Sequence, residues 1–579
     1  MIFDSLNLAA TSLKAQQKAM DVVSHNIANV NTAGYSRQTA DIVSLASQQI
    51  AGLNFGRGVE VNGVRRIIDP IINQAELNNA SKLTYWTTQH NGLSSVENVF
   101  GSLQSTGLAS ALDSFFLSFK QLANNPQDNG QKVNVRAKST SVINNLVNMR
   151  DQLATVQANT NANIDQSIIK ANQILDQVAA LSAQINRQEV GSKGTSGQAN
   201  DLRDQRDQAL RDLSKIVPTQ HVTSLDGSFL VQTLDGNLLA QDNIARHLGR
   251  GTSSTGSFSN IVIAGSNTPI ANTSQGGEIG AMVDLRDNKL GGYISNIDSL
   301  AANLIFSVNQ LHASGASTPQ TSMTAGQGGS ASLAVNDAAQ TAPFASHIQT
   351  GSFKLHVYNS TGAVTTPAGG INVAVTAGTS SLNSIASSIN TANAGVTASV
   401  DSTGHLNIAS NTGTGNTFAL SGDTSNFLAS YEINTFFSGN TAGSIGLSSA
   451  IQNNAGAINT GKIDPITSNV QLGDNSITLA ILALQNSPLN VDGSTAASLH
   501  DRTTTLSTQF GTDVGIAKQQ KDFRTVESQS LLNQKQAVSG VNIDEELITM
   551  LKFQRAYQAS AKVITTNNQM MDSLLGLIR

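Results

Sequence analysis

The stretch Asn542-Ile543-Asp544-Glu545-Glu546-Leu547-Ile548-Thr549-Met550, running on through Gln554-Arg555-Ala556-Tyr557 to Ile564, decides how this chain is organised. From Ile543 onward, Leu547, Met550, Gln554, Tyr557, Ala561, Ile564, Asn568, Met571, Leu575 and Ile578 follow one another by alternating steps of four and three. That spacing keeps one stripe of a helix turned toward a partner helix, as in a coiled coil. Only Gln554 and Asn568 interrupt the apolar seam, and a polar residue at such a position commonly fixes register at some cost in stability. Asn542 marks the helix start as N-cap, with Glu545 three residues later placed to reach back in a capping box. Asp544, Glu545 and Glu546 set negative charge at the positive end of the helix dipole.

The opposite end of the chain repeats the pattern. Ile2, Leu6, Ala9, Leu13, Gln16, Met20, Val23, Ile27 and Val30 again alternate in steps of four and three, with Gln16 the polar interruption. At ~1.5 Å per residue this stripe is roughly 43 Å long. Either helix alone could be an ordinary amphipathic helix on a core. Two narrow seams at opposite ends of one chain can pair with each other or with neighbouring molecules.

These ends also carry motifs. Ser5-Leu6, Asp21-Val-Val-Ser-His25-Asn26-Ile27-Ala28-Asn29 and Gly34-Tyr35-Ser36-Arg37-Gln38 resemble the N-terminal signature of the flagellar axial proteins, the rod, hook and hook-associated subunits. Ser539-Gly540-Val541-Asn542, with the helix that follows, resembles their C-terminal signature. Within that superfamily the run from Gly34 to Gln38 is most similar to the hook-associated protein 1 family. Members commonly have Pro where Ala33 stands; Gly34, suited to the left-handed conformation that ends a helix, is present. The resemblance implies a structural subunit that polymerises at the distal end of the hook to form the hook–filament junction, outside the cell after type III export. It implies four partners: copies of itself, hook subunits, a second junction protein, and an export chaperone on the C-terminal helix. A hook or distal rod subunit is the alternative within the superfamily, and a secreted β-rich adhesin the alternative outside it. An adhesin needs no seams at its ends and should act through residues 216–494 alone.

The interior is read from pattern. Gly56 to Val61 suits a strand or loop leading into a helix, with Asp69-Pro70 at its start. From Gln131 to Val190 there is neither Gly nor Pro, and Val142, Leu146, Met149, Leu153, Val156, Thr160, Ile164, Ile168, Ala171, Leu175 and Val178 form a seam with a stutter at Ile164. A Gly191–Gly197 loop and a charged helix from Asp201 to Lys215 then predict an antiparallel return. Asp201-Leu-Arg-Asp204 reads as a solvated face. Asp226-Gly227 and Asp235-Gly236 are hairpin turns around Ser228–Leu234, and a further helix is expected between Leu285 and His312. Residues 353–357, 371–375, 396–400 and 406–408 alternate as half-buried strands around a helix holding Leu382, Ile385 and Ile389. This ββαββ unit resembles the insertion motif of hook and filament proteins. Residues 316–342, rich in Gly, Ser and Thr, read as a linker.

Composition excludes several functions. There is no cysteine, so disulfides, thiolate metal sites and cysteine nucleophiles are out. The net charge is −5 with no basic block, which leaves no surface to neutralise phosphates of a nucleic acid. No apolar run reaches the ~18 residues of a membrane span, and Ile477–Leu484 reads as a core segment. Asp4 precedes the first basic residue, Lys14, the reverse of a cleavable secretory signal. The nine histidines show no metal-ligand spacing, His25 reads as a packing or hydrogen-bonding residue, and no nucleophile elbow occurs. The chain is expected to be no enzyme and to need no cofactor. The expected fold is α+β and multidomain: terminal coiled-coil helices and a helical bundle drawn from both chain ends, with β-rich inserted outer domains. The expected segments are 1–40 and 540–579 for the terminal pair; 41–215, 281–315 and 495–539 for the bundle; and 216–280 and 316–494 for the β-rich parts, with the insertion unit at 351–432.

Overall fold

The computed structural model describes residues 2–50, 53–101, 107–189, 199–223, 228–252, 258–265, 268–270, 276–471 and 473–577. The Gly191–Gly197 loop, the Asp226-Gly227 turn and Ile578 lie outside the described residues. The architecture is α+β: long helices at both ends contact each other, and β-rich segments occupy the interior of the sequence. The chain divides into two compact units, one of residues 1–92, 159–286 and 515–579, the other of 93–158 and 287–514.

In the first unit, the helix Pro70–Ser95 starts where Pro70 suits a first turn, and Asp69 Oδ1 accepts from the Ile71 and Ile72 amides at 2.8 and 3.3 Å. The distal part of the long helix Asn129–Glu189 and the helix Asn200–Ile216 pack together. Ile164, Ile168, Ala171, Leu175 and Val178 meet Leu210, Leu213 and Ile216 in one core. Arg203 grips Glu189 with two nitrogens, at 3.0 and 2.7 Å, where the chain turns back. A four-stranded antiparallel sheet, Thr219–Thr223, Phe229–Thr233, Leu238–Gln241 and Ile244–Ala245, closes that core, with Phe229, Val231 and Leu239 inward. Gly236, at φ +82°, makes the predicted turn. Strands Gln38–Ser44 and Val59–Arg66 pair antiparallel beside the first helix.

The second unit is built on aromatic packing. Phe115, Phe119, Phe436 and Phe437 stack edge to face or tilted with centroids 4.8–6.2 Å apart, and Phe100 stacks on Phe510 at 4.2 Å. Its helix Gly291–Ser314 follows a π-helical turn, Leu285–Leu290. The insertion unit forms as strands Gly351–Tyr358, Ile371–Val375, Val396–Val400 and Leu406–Ser410 around the helix Leu382–Thr391. Its strands are shared between two three-stranded sheets, completed by Thr417–Ser421 and Ser322–Thr324. Residues 316–342 are therefore no free linker. Ser322–Thr324 pairs with Leu406–Ser410, Val335 is buried, and its amide bonds to the Ser380 carbonyl at 2.8 Å. Small residues there allow close packing rather than freedom. The apolar run at Ile477 is the half-buried helix Ser476–Ala483.

Candidate assembly site

The first helix, Ile2–Ala28, and the last, Ile543–Leu577, lie antiparallel in the first unit. Three polar contacts set their register. Asn567 Nδ2 donates to Ser5 Oγ at 2.9 Å, the Ser12 and Ser560 hydroxyls meet at 3.0 Å, and Asn26 Nδ2 donates to Glu546 Oε2 at 3.0 Å. On each helix the contacting positions are separated by whole heptads, as a single straight interface requires. Between them the buried face of the first helix is made of small residues, Ala9, Ala15 and Ala19, followed by Val23.

This face lies one residue N-terminal to the seam that the apolar pattern marks. Leu6, Leu13, Met20, Ile27 and Val30 are half-buried on its flank, and Val23 is buried. Ile2 belongs to the same helix. On the last helix Met550, Tyr557, Ile564 and Met571 are half-buried, while Ile543, Leu547 and Leu575 are exposed. Gln554 and Asn568, the expected register residues, face solvent, and the neighbouring Asn567 makes the contact instead. Gln16 Oε1 is buried without a partner. The last helix leaves apolar side chains open near both of its ends: Ile548 is 68% exposed and Leu551 54% near its start, and Leu575 60% near its end.

A buried polar node joins the foot of this pair. Asn26, 1% exposed, uses its whole amide. Its Oδ1 accepts from Tyr35 Oη at 2.7 Å and the Gln38 amide at 3.0 Å, and its Nδ2 donates to the Gln38 carbonyl at 2.9 Å as well as to Glu546. Glu546 is 1% exposed and takes Arg37 Nε at 2.6 Å on its other oxygen. Arg37 also lies 3.6 Å from Glu545, and its amide donates to the Ser539 carbonyl at 3.0 Å. Glu545 is thus turned toward Arg37, and the expected capping box is replaced by Asn542 Oδ1 accepting from the Asp544 amide at 3.0 Å. Asn29 holds the loop by bonds to the His25 carbonyl and the Thr32 hydroxyl, at 3.0 and 3.1 Å. His25 Nδ1 meets Tyr35 Oη at 3.1 Å.

The node extends to the helix Asn200–Ile216. The Ser36 amide donates to Asp204 Oδ2 at 3.0 Å, Gln38 Nε2 to Asp201 at 2.9 Å, and Asn200 Nδ2 to Gln38 Oε1 at 3.1 Å. Arg66 Nη1 bridges Asp204 and Asp207, each at 2.7 Å. Asp204 is therefore buried, and the Asp201–Asp204 segment is not a purely solvated face. Burial raises the Asp204 pKa above the usual range, with Arg66 and the Ser36 amide pulling it back. Burial works against the charge of Arg66, yet Asp207 and Asp204 hold its pKa above normal. Tyr35 is held strongly protonated by burial first and by Asp201, Asp204 and Glu546. Such an arrangement fixes geometry and offers no reactive group: Tyr35 stays a donor, and the carboxylates are occupied. No group of three or more His, Asp or Glu able to hold a metal occurs among the described residues, and no described helix is long and apolar enough to cross a membrane.

Two glycines make the close approaches. Gly34, at φ +83°, sits where a Cβ would be 3.0 Å from Arg211 Nη2. At Gly540 a Cβ would come 2.3 Å from the Gln536 carbonyl oxygen, so only glycine lets the last helix leave the one before it at this angle. In the sequence Glu546 reads only as a helix-end charge and Asp204 as part of a solvated face, and Arg66 is not singled out. Their only trace is an acidic residue beside an apolar seam and isolated charges among polar neighbours.

Known proteins with the same parts locate this architecture. Residues 6–35 match the flagella basal body rod protein family and residues 534–577 the flagellar basal body rod FlgEFG protein C-terminal family. Residues 93–327 match the flagellar hook-associated protein FlgK helical domain, and residues 352–412 the flagellin hook IN motif. Rod-type ends that pair and enclose a helical domain with an inserted β-rich motif define a flagellar axial protein, a structural class. The chain is 28% identical to flagellar hook-associated protein 1 of Salmonella typhimurium over 99% of both chains, and 27% identical to that of Escherichia coli over the same shares. The protein of that name from Bacillus subtilis is 31% identical over 41% of this chain and 49% of its own. The fold is shared with the flagellar hook junction protein FlgK from Burkholderia pseudomallei, at TM-score 0.52 and 18% identity, covering 81% of this chain and all of that one. Within the axial class, the chain is similar over its whole length to hook-associated protein 1.

Proposed function

We propose that this chain polymerises at the distal end of the hook, outside the cell, and forms the hook–filament junction. The observation that carries the reading is the apolar surface left open near both ends of the last helix, where Ile548, Leu551 and Leu575 are more than half exposed although the helix is already paired with the first. Large apolar side chains left open in this way cost solubility unless other molecules cover them. Copies of the chain, hook subunits below and a second junction protein above are the partners that cover it in the assembly. Before assembly an export chaperone covers the same helix. Replacing Leu547 and Leu551 together by Asp tests this. The double variant should keep the helix content and melting temperature of the parent and fail to add to isolated hooks in a sedimentation assay. Unimpaired addition would overturn the reading. Chaperone binding should be lost on deleting residues 543–579, and retained binding would place the chaperone elsewhere.

A further inference from the structure

Away from the helix pair, the first unit contains a cavity of about 250 Å³ beside the helix Asn200–Ile216. Four arginines line it, Arg66, Arg203, Arg206 and Arg211, with Asp207 as the carboxylate among them. Three of the four are committed. Arg66 bridges Asp204 and Asp207, Arg203 holds Glu189 with two nitrogens, and Arg211 holds Gln208 Oε1 at 3.1 and 2.6 Å. Arg206 has no hydrogen bond or ion pair among the described residues. It is 8% exposed, its guanidinium lies 3.5 Å over the Phe229 ring, and Nε is sealed from solvent without an acceptor. His221 Nδ1, on the same wall, is likewise sealed and unpartnered.

A buried cation with no carboxylate in direct contact is costly, and stacking on one aromatic face offsets only part of that cost. Burial pushes the Arg206 pKa down to about 10; Asp207 and Glu189 resist this, while Arg203 and Arg66 add to it. A guanidinium fork matches an oxyanion with two parallel N–H bonds. The cavity has room for a carboxylate and the methylene that bears it. We propose that this pocket binds one carboxylate through Arg206, presented in the polymer by an acidic side chain of a neighbouring copy. The chain carries 39 acidic against 34 basic residues, so each copy brings a surplus of carboxylates to the assembly. The identity of the donor rests on the polymer reading above; the pocket itself does not.

Two measurements separate them. The purified monomer is melted in sodium acetate and in sodium chloride at matched ionic strength, as parent and as Arg206→Met. Acetate should raise the parent's melting temperature by about 3 °C for each tenfold above its Kd. Arg206→Met should melt higher than the parent without acetate and be indifferent to it. No acetate effect on the parent, or an equal effect on both proteins, would overturn the pocket. If Arg206→Met does not fold, Arg206→Lys takes its place and should need at least about tenfold more acetate for the same rise. In the second measurement, acetate should raise the critical concentration for polymerisation of the parent and leave the variant's unchanged. An acetate-responsive monomer whose critical concentration does not move would mean a free anion rather than a neighbour's side chain. A protein that never polymerises but keeps the acetate response would sink the polymer reading alone.

Discussion

Asn26 shows how one side chain can hold two ends of a protein. Its amide bonds to Tyr35, Gln38 and Glu546, so every donor and acceptor it owns is used in a site closed to water. Replacing it with Ala leaves the Glu546 carboxylate and the Gln38 amide short of partners at once. Asn26→Ala should weaken the terminal helix pair by about 2–4 kcal/mol, read as faster amide exchange across residues 15–28 and 546–560 with little change in the second unit. Gly540→Ala should cost more than about 1 kcal/mol by a different route, since its new methyl meets the Gln536 carbonyl at 2.3 Å. That loss should show as a lower urea midpoint, and an unchanged midpoint would mean the backbone shifts freely there.

At the level of helices, the pair inverts the usual expectation about which residues matter. Ala15 and Ala19 lie at 2% and 1% exposure, where two helices approach closely. Ala19→Leu should therefore destabilise by about 1–3 kcal/mol through overpacking, while Leu13→Ala on the half-buried flank costs less. Thermal melts of the two variants check the order. The existence and type of these helices were legible because heptad spacing is a strong signal. Their contacting faces were not: pattern reading assigns the seam to the largest apolar residues, whereas small ones allow the close approach. The insertion unit was legible strand by strand, since alternation in Phe353–Val357 and Ile371–Val375 needs no tertiary information. The node was legible only as motif residues, Asn26, Tyr35, Ser36 and Arg37, because their bonds to Glu546 and Asp204 exist only once folding brings distant segments together. The linker reading of 316–342 failed for a related reason, as Ser- and Gly-rich chain can be packed through its backbone as well as left free.

Across the whole molecule, the two units differ in what sets their stability. The second encloses His312, which is fully wrapped. Its Nδ1 faces the Asn434 carbonyl at 2.8 Å and its Nε2 accepts the Asn459 amide at 3.0 Å, so the ring is neutral with the proton on Nδ1. Burial, helped by Lys132, pushes its pKa down to about 4. His356 is pushed to the same value by burial and Lys354. Both bind a proton more readily unfolded than folded, so their contribution is full above about pH 6.5 and is lost as pH falls from there toward 4. Unfolding of the second unit in urea should ease over that window by up to about 3 kcal/mol for His312, and a His312→Gln variant should flatten the slope. The first unit has a different safeguard, which follows from the spacing of its polar contacts. Apolar heptads are alike, so helices that meet only through them can slip by seven residues and still fit. Here a slip one way would set Glu546 against Ala19, and a slip the other way would set Asn26 against Phe553. Each error strands a buried polar group, so residues 520 positions apart in the chain allow a single notch of alignment. Chain ends that must find each other across the whole sequence thereby carry their own proofreading.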